Sequence, residues 1–107
     1  MDEITINQAF VTMVAARYNL LASNQEVIEA ERALESKKIW AINNKMEGLT
    51  NDTARKGAIA KESEAESLKL DEAKNRYGIV QCEFDCASYE VSRVKLLVAF
   101  LGLNFEK

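Results

Sequence analysis

The sequence predicts an all-α protein in which two long helices fold back as an antiparallel hairpin, and several such hairpins assemble into an oligomeric helical bundle. Three observations indicate this class. The 107 residues contain no Pro and only four Gly, so the strongest helix breakers are rare. Apolar residues recur at heptad spacing over most of the chain, and one cluster of turn-forming residues interrupts them near the middle. We expect residues 1–107 to form a single helical hairpin domain.

The first helix is expected to span about residues 5–46. Thr5 followed by Gln8 forms a capping-box pattern at its start. A second capping box, at Ser23 and Glu26, leaves open a break near Ser23 that would give a third helix. The heptad phase runs through Ser23 unchanged, which favours one continuous helix. The stripe that carries this phase comprises Ile6, Ala9, Met13, Ala16, Leu20, Ser23, Val27, Ala30, Leu34 and Ala41.

A turn is expected at residues 47–51, followed by a second helix at about 52–103. Gly48 suits the left-handed residue that ends a helix, and Asn51 suits the N-cap of the next one. The connection is short, so the two helices should lie antiparallel. The stripe of the second helix comprises Leu70, Ala73, Tyr77, Val80, Phe84, Ala87, Val91, Val94, Val98, Leu101 and Phe105.

An antiparallel hairpin brings both chain termini to one end, and both terminal segments are strongly apolar. A helix that is apolar on most of its circumference must be buried. We therefore expect a homo-oligomer that associates through this end. The expected interface residues are Phe10, Val14, Leu97, Phe100 and Leu101.

The residue types that carry most catalytic and metal chemistry are scarce. There is no His, which removes the commonest general base and a common metal ligand. Cys82 and Cys86 would share one helix face, either beside the core or as half of a metal or redox site. One chain lacks the remaining zinc ligands, so core packing is the expectation, with reduced thiols in a cytoplasmic setting. We expect no enzyme activity, no metal and no cofactor. The longest apolar run, residues 96–103, is too short to cross a bilayer, so no membrane partner is expected.

The predicted turn is positively charged. Residues 36–61 hold six basic and two acidic side chains, or +4, whereas the rest of the chain sums to −7. A helix N-terminus with a nearby Arg could bind an anion, and an aromatic ring could stack a nucleotide base. The other interpretation is an ordinary cap with solvated lysines and a Trp that packs on the loop. We define the tip cluster as the candidate ligand residues Lys37, Lys38, Trp40, Lys45, Asn51 and Arg55.

The spacing Gly48, Asn51, Arg55, followed by the segment 71–76 and then by Val91 and Val94, resembles a known class. The chain is similar, over about residues 26–103, to small helical-hairpin proteins encoded by phages and prophages, of the recombination-region accessory or anti-defence type. The resemblance implies a non-enzymatic binding protein of a bacterial host cell.

Three functions follow as expectations from the residues and the resemblance. The first is a phage-type binding protein that self-associates and engages a host protein or an anionic nucleotide, for counter-defence or sequestration. The second is an accessory protein of phage recombination or replication, in which basic tips contact nucleic-acid phosphates. The third is a purely structural coiled-coil assembly.

Overall fold

A computed structural model of the protein describes residues 2–101, which form three helices. Helix α1 spans Glu3–Asn44, α2 spans Asp52–Glu62, and α3 spans Glu64–Leu101. The predicted all-α class is confirmed, with α1 and α3 packed against each other as a hairpin. The chain divides into two compact units. Unit 1 is Met1–Ala22 with Gly78–Lys107, of which residues 2–22 and 78–101 are described, and unit 2 is Ser23–Tyr77.

The first helix begins two residues earlier than predicted, because Asp2 rather than Thr5 provides the capping oxygen. The Thr5 backbone N–H donates to Asp2 Oδ1 at 2.8 Å. This hydrogen bond lowers the pKa of the Asp2 carboxyl below its usual value. The contact therefore stabilises the helix start near neutral pH, and that stability is lost as the pH falls through the lowered pKa.

Helix α1 is continuous through Ser23, as the heptad phase predicts, and the third helix arises at Ser63 instead. The prediction of one unbroken helix from residue 52 was therefore wrong at Ser63. The Ser63 hydroxyl and backbone N–H both donate to Ile59 O, at 2.7 and 3.0 Å. A side chain that bonds to the carbonyl four residues earlier bends or ends a helix. The predicted end near residue 103 lies outside the described residues.

The turn of unit 2 has the predicted chemistry and begins slightly earlier, after Asn44. Gly48 has a φ of 80°, a left-handed conformation that favours Gly over residues with a Cβ. Asn51 Oδ1 accepts a 2.7 Å hydrogen bond from the Ala54 backbone N–H, which confirms Asn51 as the N-cap of α2.

The two predicted stripes form the internal packing of both units. Every described member of either stripe is buried or half-buried, whereas Phe105 lies outside the described residues. In unit 1 the buried members are Ala16, Leu20, Ala87, Val91 and Val94. In unit 2 they are Ser23, Ala41, Leu70 and Ala73. Many of these residues are small, which lets two helices approach closely.

No helix in the described part of the chain has a stretch that is long and apolar enough to cross a membrane.

Candidate functional site

Two residues of the tip cluster form side-chain hydrogen bonds with the backbone of their own turn. Asn51 caps α2 through the bond to Ala54. Arg55 Nε donates to Leu49 O at 3.0 Å and thereby ties the first turn of α2 to the preceding loop. Both contacts satisfy backbone groups that the turn leaves without a helical partner. The contacts favour a structural role for these two residues.

Two lysines of the tip cluster, Lys37 and Lys45, lie against the indole of a third member, Trp40. Lys37 Nζ lies 4.2 Å and Lys45 Nζ 5.6 Å from the centroid of the ring. Trp40 remains exposed, and its backbone O accepts a 2.8 Å hydrogen bond from Asn44 Nδ2 at the end of α1. Cation–π contacts at exposed sites contribute about 0.5–1 kcal/mol each. The Trp40 ring and the two ammonium groups therefore form one side-chain cluster at the end of α1.

Lys38 lies in a different environment from its neighbour Lys37. It lines a shallow cavity of about 300 Å³ next to the Ser63 break, together with the acidic Glu64. The tip cluster is therefore not one convergent site. Lys37, Trp40 and Lys45 lie together, Asn51 and Arg55 contact the loop backbone, and Lys38 lines the cavity.

Replacing Arg55 with Ala is expected to destabilise unit 2 by about 1 kcal/mol, because Leu49 O loses its partner. Lys56→Ala is the matched control, since it removes the same charge from the next, exposed position. Urea unfolding of both variants measures the difference. Equal unfolding free energies would show that Arg55 does not stabilise the turn.

Titration of the Arg55→Ala and Lys56→Ala variants with inorganic polyphosphate tests whether Arg55 also binds a ligand. A larger loss for Arg55→Ala is expected if its forked donor binds phosphate.

The five residues predicted for the oligomer interface differ in how exposed the structure leaves them. Phe100 is 84% exposed and Val14 is also exposed, whereas Leu97 and Leu101 are half-buried. Phe10 is partly covered by Lys95, whose Nζ lies 5.8 Å from the ring centroid. Phe100 and Val14 are therefore available to a partner, while part of Leu97 and Leu101 is already used inside unit 1.

A second stripe on α3, which sequence analysis missed, is exposed in unit 1. Its members alternate at spacings of three and four residues, the same spacing as the buried stripe but on a different part of the helix surface. The signal was present in the sequence, but two Cys and one Arg within the run make it look less apolar. We define the exposed stripe of α3 as Ile79, Cys82, Cys86, Tyr89, Arg93, Leu96 and Phe100.

Helix α1 carries a comparable surface within the same unit. We define the exposed stripe of α1 as Ile4, Val11, Val14, Tyr18 and Leu21. Beside it, Met13, Val14, Arg17, Tyr18 and Phe84 line an open apolar cavity of about 350 Å³. The Arg17 guanidinium lies 5.7 Å from the centroid of the Phe84 ring. Unit 1 therefore leaves apolar surface uncovered on both of its helical segments.

Cys82 and Cys86 are free and exposed, so the expectation that they pack beside the core was wrong. They occupy consecutive positions of the exposed stripe of α3, whereas the neighbouring Phe84 is half-buried and Ala87 and Val91 are buried. Over residues 2–101, no group of three or more Cys, Asp or Glu residues is arranged to hold a metal ion.

The charged residue of the exposed stripe of α3 is paired on its own helix. Arg93 Nη2 donates to Glu90 Oε1 at 2.6 Å, and Arg93 Nε donates to Glu90 Oε2 at 3.0 Å. These two bonds lower the pKa of Glu90 and raise that of Arg93, because each bond favours the charged form of both side chains. The fork also restrains the guanidinium beside the stripe.

Comparison of the chain with protein-family models, with curated proteins and with solved structures finds no match.

Proposed function

We propose that the chain is a non-enzymatic binding protein that self-associates through the exposed apolar surface of unit 1 and keeps unit 2 available for a second partner. The observation that carries this proposal is the uneven distribution of exposed large apolar side chains. Ten of them lie in the described part of unit 1, against four in the longer unit 2. Large contiguous apolar surface on a water-exposed protein marks an interaction site.

The second partner is proposed to be anionic, either an acidic surface of a host protein or a nucleotide. Unit 2 holds the segment that carries a charge of +4, and Lys37 and Lys45 present their ammonium groups beside the exposed ring of Trp40. Cations next to an aromatic ring suit the phosphate of a nucleotide or the carboxylate of an acidic side chain. This arrangement supports the phage-type counter-defence or sequestration role that the resemblance implies, with binding centred on Trp40.

Sedimentation velocity of the wild-type chain at micromolar concentration, in low and in high salt, tests the self-association. We expect a mass of two or more chains in both conditions, because burial of apolar surface is not screened by salt. A single-chain mass at every concentration would contradict the proposal. Dissociation by salt would instead show that charge pairs hold the assembly together.

A further inference from the structure

We propose that the exposed stripe of α3 packs antiparallel against the same stripe of a second copy, with the two-fold axis between Tyr89 and Arg93. This inference rests on the proposed function and specifies the surface and geometry of its self-association. The antiparallel order makes Tyr89 face Arg93 of the second copy, Cys86 face Leu96, and Cys82 face Phe100.

The spacing of the stripe indicates that its partner is a helix. Steps of three and four residues alternate without interruption from Ile79 to Phe100, over three heptads. Such a run keeps one seam in contact with a neighbouring helix. Toward the start of α3 the same phase meets Asn75 and Glu72, so the apolar seam begins at Ile79. The partner helix must carry a matching seam of similar length, and the stripe itself meets this requirement.

The area of the stripe is close to what a stable dimer needs. The exposed fractions of its four large apolar side chains range from 62% at Ile79 to 84% at Phe100. At about 200 Å² for a large side chain, they expose roughly 600 Å². A typical stable interface buries about 800 Å² per partner. The two cysteines and the stem of Arg93, which are also exposed, supply the rest.

Charge decides the relative direction of the two helices. In a parallel pair, equivalent seam positions lie side by side, so Arg93 would meet Arg93 and the flanking Asp85 would approach Glu90. Both contacts are repulsive. In the antiparallel pair, Arg93 lies over the exposed ring of Tyr89 from the second copy, which is a favourable cation–π position. The axis also brings two Glu90–Arg93 ion pairs together as a group with no net charge.

Symmetry favours packing of the α3 stripe against the α3 stripe of a second copy over packing against the α1 stripe of another copy. Packing α3 on α1 would join unlike surfaces, which gives a ring where the rotation closes and an open-ended chain where it does not. Packing α3 on α3 closes after two copies. The three-four spacing of the α1 stripe is also interrupted between Ile4 and Val11, where the polar Asn7 occupies the position.

Leu96→Asp tests the surface, and Leu68→Asp is its matched control. Both leucines are exposed on α3, but Leu68 belongs to unit 2 and lies outside the stripe. We expect Leu96→Asp to raise the dissociation constant roughly 100-fold or more, because each dimer carries the change twice. Leu68→Asp should leave that constant unchanged. Circular dichroism should give both variants the helix content of the wild type.

Distances between spin labels test the direction. Labels are attached to Asp85→Cys or Ser92→Cys, both exposed, in a background in which Cys82 and Cys86 are replaced by Ala. At 1.5 Å per residue, an antiparallel pair centred near residue 91 offsets the two labels along the helix axis by about 18 Å at position 85 and about 3 Å at position 92. With helix axes about 10 Å apart, the label-to-label distance is therefore about 10 Å longer at position 85. A parallel pair gives equal distances at the two positions.

The outcomes separate the two proposals. A wild-type chain that is monomeric overturns both. A wild-type dimer that Leu96→Asp leaves intact overturns the α3 seam and retains self-association through another surface of unit 1. A dimer with equal label distances overturns the antiparallel arrangement. Dissociation by Leu96→Asp, together with the longer distance at position 85, supports the inference.

Discussion

Replacing Leu70 with Ala is expected to lower the free energy of unfolding by about 2–5 kcal/mol, which is a large part of the stability of a small domain. Leu70 is 9% exposed and lies on the buried stripe of α3 in unit 2. Truncation to Ala removes three carbon atoms from this buried position, and a close-packed interior fills the resulting cavity only in part. Denaturant unfolding followed by circular dichroism measures the loss.

Leu68→Ala is the control for this prediction, because the same atoms are removed two residues away. Leu68 is 57% exposed, so we expect a loss below about 1 kcal/mol. Similar losses for the two variants would show that the buried stripe of α3 does not face α1 in unit 2.

Replacing Val94 with Asp is expected to unfold unit 1 at neutral pH. Val94 is 1% exposed and is the largest fully buried side chain among the described residues. A carboxylate placed there without a partner costs several kcal/mol. We expect loss of a large part of the helical circular dichroism signal at 25 °C. The loss should shrink below about pH 4, where the introduced carboxyl becomes neutral.

Asn19→Asp is the control, because it introduces the same charge at an exposed position of unit 1 that lies on neither stripe of α1. This variant should keep the helix content and the melting temperature of the wild type within a few degrees. A cooperative, fully helical Val94→Asp variant at neutral pH would contradict the assignment of Val94 to the core.

The heptad stripes were predictable from the sequence because burial in a helical hairpin follows the period of the helix. Every described member of the two predicted stripes, from Ile6 to Ala41 on α1 and from Leu70 to Leu101 on α3, is buried or half-buried as expected. Periodicity does not determine where a helix starts or stops. Capping at Asp2 and the break at Ser63 each depend on one side-chain hydrogen bond, to the Thr5 N–H and to Ile59 O respectively, and several nearby polar residues could have made such bonds.

The candidate sites were less predictable, for two different reasons. In the tip cluster the residue types were suitable for an anion, but the same donors serve the turn, as the bond from Arg55 to Leu49 O illustrates. In unit 1 the sequence indicated more apolar residues than one hairpin can bury, but it did not indicate which of them would remain exposed. Leu97 and Leu101 turned inward, and Tyr89 and Leu96 were left exposed. Only the packing of α3 on α1 decides which of two overlapping heptad phases becomes the inner one.

Native mass spectrometry of the purified chain and of its Leu96→Asp variant tests the central claim, self-association through unit 1, most directly. We predict a mass that is an integral multiple, two or greater, of the 12.0 kDa chain, and a shift to 12.0 kDa for the Leu96→Asp variant. A ligand retained on the complex would appear as additional mass and identify the second partner. A wild-type spectrum that contains only the 12.0 kDa species, from solutions at micromolar concentration, would contradict the claim.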